Sequence, residues 1–150
     1  MNTEALLKLA ELLEEDAANP TGVKFDLGTW GKVPKPGVVD WLLWRSPRLD
    51  CGTKACAIGM ACLHPWFNER GLKAAPADLS KGCIYPVCVE GDFSLHGFHG
   101  VAHFFGISHN EAFRLFSDES YQHREQLSTA GELAVAARIR QLVASAQPTV

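Results

Sequence analysis

The chain has 150 residues, 47% of them hydrophobic and 21% charged, with a formal net charge of −3. That size and balance fit one globular domain spanning 1–150 and exclude disordered and fibrous classes. Acidic and basic residues are interspersed, with no polybasic run to neutralise a phosphate backbone, so nucleic acid is not the expected partner; Arg45, Arg48 and Lys54 could form no more than a local basic patch.

In chain order, the first periodic segment carries Leu6, Leu9, Ala10, Leu13 and Ala17 at three- and four-residue intervals, with Glu4, Lys8, Glu11, Glu14 and Glu15 between them. This predicts an amphipathic helix capped by Thr3 and ended at Asn19-Pro20, because proline cannot continue the hydrogen-bond ladder. From Thr21 to Pro36, glycines and prolines recur around Phe25, Leu27 and Trp30 without a sustained period, which reads as an ordered loop pinned by its aromatics. Val38–Trp44 follows Pro36-Gly37 and reads as a helix. The small apolar run after Thr53, through Cys56, Gly59 and Cys62 to Leu63, predicts a buried helix capped by Thr53 and stopped before Pro65.

Between Gly71 and Gly91 the best extended piece is Cys83–Val89, expected as at most a short hairpin or edge strand, since Pro86 bars it from a central place in a sheet. The last third predicts a helix over Leu95–Phe105 ended by Gly106, a second from Ser108 and a third over Thr129–Ala146. Ser108 with Glu111 and Thr129 with Glu132 each have the spacing of a capping box. The expected fold is therefore mainly α: a compact multi-helix single domain around the buried cysteine-bearing helix.

No stretch approaches the roughly 18 to 20 apolar residues of a membrane span, and the opening Met1-Asn2-Thr3-Glu4 has neither a basic region nor a secretory core. A cytoplasmic location without membrane contact is expected. The five cysteines, Cys51, Cys56, Cys62, Cys83 and Cys88, are an odd number in a chain large enough to bury a core, which predicts free thiols. Cys83 and Cys88 could close a small loop only in an oxidising compartment.

Three groups of residues could carry function. His96, His99 and His103 share one face of the predicted helix, opposite Phe98, Val101, Ala102 and Phe105. His99 and His103, four residues apart, could meet one zinc ion if Cys51, Cys56, Cys62, His64 or Asp92 completed the site; no Cys-x-x-Cys pair supports it. A solvated or partner-facing imidazole surface is the plainer alternative. Cys51 and Cys56 flank a predicted helix start, where amide dipoles favour a thiolate, so a cysteine enzyme with His99 as base and Asp50 or Asp92 as orienter is conceivable; against it, the segment is apolar enough to be core. Trp30, Trp41, Trp44 and Trp66, beside Arg45 or Arg70, would suit a protein-binding groove, or would simply fill the core.

Phe25-Asp26-Leu27-Gly28-Thr29-Trp30, then Cys51-Gly52-Thr53-Lys54-Ala55-Cys56-Ala57-Ile58-Gly59, then Ala102–Ile107 and Leu115-Phe116, resemble the pattern of small uncharacterised bacterial and phage proteins. In these an aromatic-Asp-x-Gly-x-Trp element precedes Cys-Gly-Thr-x-x-Cys-x-x-Gly. The resemblance implies a shared fold around the cysteine segment and brings no activity. The chain departs from the pattern in its long insert between Trp30 and Cys51 and in its histidine-rich helix. The expected function is a non-catalytic binding or accessory protein working through protein–protein contacts, with a Cys/His-centred enzyme or metalloprotein as the alternative.

Overall fold

A computed structural model describes residues 1–20, 22–32, 54–78 and 82–146. Its elements are α1 (Thr3–Ala18), β1 (Lys24–Phe25), β2 (Gly31–Lys32), β3 (Lys54–Ala55), α2 (Ala57–Cys62), α3 (Pro65–Glu69), β4 (Leu72–Asp78), β5 (Cys83–Glu90), β6 (Phe93–His96), α4 (Gly97–Phe105), α5 (His109–Phe116) and α6 (Ser128–Ser145). Short 3₁₀ turns at Asp118–Ser120 and His123–Glu125 join the last two helices.

The helices surround a six-stranded mixed sheet of order β1-β3-β2-β5-β4, with β6 also paired to β5. The protein is therefore mixed α/β, and the expectation of a mainly α, multi-helix domain is overturned. The strands escaped notice for a physical reason. Three of them are two residues long, too short to show alternation, and β4 is built from Leu72-Lys73-Ala74-Ala75-Pro76-Ala77-Asp78, a composition with weak strand preference. The Thr21–Pro36 loop accordingly contains β1 and β2.

β5 is the hub of the sheet, not an edge. Along one side it pairs with β4 from Leu72↔Cys88 to Asp78↔Cys83. Along the other it meets β2 at residues 83–84 and β6 at residues 87–90, end to end. The Val89 N–H donates to the Gly71 carbonyl at 2.8 Å, on the β4 side. Alternation along the strand turns position 86 the other way, toward the gap between β2 and β6. Pro86 occupies the place in β5 where a missing N–H breaks no ladder.

α2 lies between the sheet and α1, contacting β3, β4 and β5 as well as α1. Its residues Ala57, Ile58, Gly59, Met60, Ala61 and Cys62 are all buried. The buried helix is thus present but shorter than expected, since Lys54 and Ala55 are strand and Cys56 is the cap; Thr53 lies outside the described residues. α1 and α6 pack antiparallel, sharing the stripe of Leu6, Leu9, Leu13, Val135, Ile139 and Val143. The Arg140 guanidinium clamps Glu14 through two bonds of 2.7 and 2.6 Å at the rim of this pair.

The helix ends divide in the same way. Ser108 and Glu111 form the capping box, with both reciprocal bonds made, and Gly106 ends α4 in the left-handed conformation at φ 60°. The start of α1 is capped by the Asn2 side chain, which accepts from the Ala5 N–H at 3.1 Å, rather than by Thr3. The Thr129–Glu132 box is absent: α6 starts at Ser128 with Leu127 at the cap position and no side-chain cap bond. Glu132 has turned inward instead, to a buried partner on α1.

Candidate functional site

The Phe25–Trp30 segment and the start of α2 lock onto each other. The Asp26 carboxylate accepts from the Gly28 N–H at 2.9 Å, closing a tight turn that delivers the Trp30 carbonyl to the start of α2. There the Cys56 N–H points at the Thr29 and Trp30 carbonyls. The Cys56 thiol donates to the Trp30 carbonyl at 3.6 Å and accepts from the Gly59 N–H at 3.4 Å. Gly59 has no alternative residue, because a Cβ there would overlap the Trp30 carbonyl oxygen.

Burial outweighs the helix start in setting the thiol's chemistry. It pushes the Cys56 pKa up to about 11, against the opposing bond from Gly59, and raises the Cys62 and Cys88 thiols as well. Of the two readings of Cys56, the buried core thiol fits this geometry and the dipole-lowered thiolate does not: desolvation of a fully enclosed sulfur exceeds the pull of one short helix. Cys56, Cys62, Cys83 and Cys88 are free thiols. Cys51 lies outside the described residues, as does Asp50.

The histidines project outward from α4 and its flanks but do not converge. His103 pairs with Glu90 at 2.9 Å, across from Phe93. His99 packs instead against His109 of α5, with ring centroids 4.8 Å apart. His96 sits against Tyr85 and Ser94, and His64 caps α3, its Nδ1 accepting from the Trp66 N–H at 3.2 Å. Burial lowers the His64 pKa. Among the described residues, no three His, Cys, Asp or Glu side chains come together as a metal site would require.

Of the tryptophans, Trp66 packs edge-on to Phe67, with the Arg70 guanidinium 3.8 Å above its ring. Trp30 meets Phe98 at 4.8 Å between centroids and a 59° tilt. Trp41, Trp44 and Arg45 lie outside the described residues, and so does the segment Val38–Trp44 for which a helix was expected.

Trp30 and Phe98 form one wall of a cavity of about 370 Å³. Leu27, Ala77, Ile84 and Phe116 add to its apolar lining, while Thr29, Cys83, Ser117 and Asp118 supply polar groups. Phe98 continues outward to Phe113, 5.4 Å away, and to His109 at 6.0 Å, so the wall runs without a break onto an exposed aromatic and imidazole surface. Phe113 and Phe93 are 36% and 53% exposed.

Sequence reasoning reached Trp30 but missed the residues around it. Phe113 had a legible signal: α5 buries Ala112, Leu115 and Phe116, and an aromatic one position off that stripe has no core to enter. Ser117 and Asp118 had none, because they reach the cavity only through the turn that follows α5. No protein-family model, curated protein or solved structure matches the chain, so the site is read from its own geometry.

Proposed function

We propose that this is a non-catalytic binding protein that engages a segment of a partner protein through the Trp30–Phe98–Phe113 surface, seating one side chain in the adjoining cavity. The observation that carries the reading is the unbroken aromatic run from the cavity wall to the exposed face. Solvent-facing aromatics next to a concave, mixed-polarity hollow are the usual anchors of peptide recognition. The cavity is of a size to hold a large side chain, and the imidazoles of His99 and His109 add donors and acceptors at its rim.

Among the described residues, Cys56 is not joined to His99 or to any other imidazole, which favours the binding reading over a Cys56/His-centred enzyme. The Cys56 sulfur is committed to a cap and a carbonyl, and no hydrogen bond joins a thiol to an imidazole among the described residues. No helix there is long and apolar enough to cross a membrane, and the free thiols favour a reducing compartment.

A random peptide library selected on the folded protein tests the reading. Enriched peptides are expected to lose roughly tenfold or more in affinity on the Phe98→Ala/Phe113→Ala double variant, as for removal of interface anchors, and to be indifferent to Glu11→Ala on the far surface of α1. Peptides that bind the double variant as tightly as the parent would overturn it.

A further inference from the structure

The polar groups of the cavity narrow what it accepts, and this step rests on the binding reading above. Asp118 is the one charged side chain among the described residues that line it. Its Oδ1 accepts from the Glu119 N–H at 3.0 Å and from the Ser117 hydroxyl at 3.5 Å. Both bonds go to the same oxygen and fix the plane of the carboxylate. Trp30 and Phe98, packed on each other at a 59° tilt, line the same cavity.

We infer that the cavity takes an alkylammonium head, presented as a lysine side chain of the partner protein. A cavity lined by one carboxylate and by aromatic rings favours a cation, since ring faces and the acid attract the same charge. A purely apolar side chain would strip water from Asp118 and give nothing back, and an acidic one would be repelled. A guanidinium is the poorer fit, because its fork asks for two carboxylate oxygens and one of these is already committed. A compact ammonium needs only Oδ2, and Thr29, which also lines the cavity, has a hydroxyl that can accept a second N–H. Its aliphatic stem would lie against Leu27 and Ile84, which a free small amine could not exploit.

The test uses the full chain and four probes, followed by NMR at millimolar concentration. They are a short peptide with one central lysine, the same peptide with norleucine, the same with arginine, and tetramethylammonium. The lysine peptide is expected to bind about tenfold more tightly than the norleucine or arginine peptide and to shift the Trp30 indole N–H. Asp118→Asn, which keeps the Oδ1 acceptor and hence the local fold, should abolish the lysine preference by weakening the lysine peptide and, with the charge to desolvate removed, strengthening the norleucine one.

Equal binding of lysine and norleucine peptides would overturn the cation inference while leaving the binding surface in place. Equal binding of arginine would overturn the choice of ammonium. Tetramethylammonium binding as tightly as the lysine peptide would overturn the protein source in favour of a free cation. No shift at Trp30 with any probe, together with library peptides indifferent to Phe98 and Phe113, would remove both readings.

Discussion

Glu132 of α6 is hydrogen-bonded to Asp16 of α1, and both carboxyl groups are buried, at 3% and 4% exposure. Two carboxylates cannot both stay ionised in such a place, so the pair holds a proton. Burial first, and then the bond and charge of Asp16, raise the Glu132 pKa from 4.5 to about 8. Other charges on the surrounding elements are engaged elsewhere: Glu14 with Arg140, Arg138 with Tyr121 and the Arg114 carbonyl, and Glu125 with the Gln122 N–H.

This pair makes stability depend on pH in a defined direction. Below about pH 4.5 Glu132 is protonated in folded and unfolded chains alike, and its contribution is complete. As pH rises from there the unfolded chain ionises while the fold keeps its proton, so stability falls until the folded group titrates near pH 8. Urea unfolding at pH 5 and pH 8.5 should show a loss on the order of a few kcal/mol in the parent protein. Glu132→Gln, which retains an N–H for Asp16, should flatten that loss and be the more stable of the two at pH 8.5. Equal slopes in the two proteins would refute the shared proton.

Gly59 and Gly91 offer a contrast in what a methyl group costs. At Gly59 the new carbon would overlap the Trp30 carbonyl, whereas at Gly91, at φ 60°, it would meet nothing within 4 Å. Gly59→Ala should therefore cost about 3 kcal/mol or more from forced separation of the Phe25–Trp30 segment from α2. Gly91→Ala should cost about 1 kcal/mol, from backbone strain alone. Thermal unfolding of both variants checks the difference.

Ser108 and Thr129 separate a real cap from an apparent one. Ser108→Ala removes an acceptor from the Glu111 N–H and should cost about 1 kcal/mol. Thr129 is exposed and makes no cap bond, so Thr129→Ala should fall within about 0.5 kcal/mol of the parent. A large loss at Thr129 would contradict the observed start of α6.

The thiols should divide by enclosure. Cys83 is partly exposed and lines the cavity, while Cys56, Cys62 and Cys88 are buried. Iodoacetamide labelling read residue by residue by mass spectrometry should, of these four, modify Cys83 first. The other three should react roughly 100-fold more slowly, through opening of the fold. Cys56→Ser should preserve the cap on Gly59, and Cys56→Ala should not.

How far the fold could be read from the chain depended on where each signal resided. α1, α4, α5 and α6 announced themselves because an apolar stripe at helical spacing is local, and Ser108, Gly106 and Asn19 sit at their ends in the roles their chemistry suggests. The sheet did not, because its short strands exist only through pairing partners far along the chain, as Gly31 with Ile84. Pro86 misled for the same reason: whether a missing N–H matters depends on which side of the strand it faces, and on that side no strand of the described residues pairs with position 86. At the site, Trp30 was visible as a residue type. Its partnership with Phe98, Phe113 and Asp118 belongs to the tertiary arrangement alone.

The antiparallel union of α1 and α6 has a consequence for how the molecule is made. The clamp between Glu14 and Arg140 spans 126 positions of the polypeptide. On the ribosome, Leu6, Leu9 and Leu13 must wait without their α6 cover until the segment 126 positions further on has emerged. Amide exchange during synthesis should therefore find α1 gaining lasting protection only with α6, although it is translated before the other described elements.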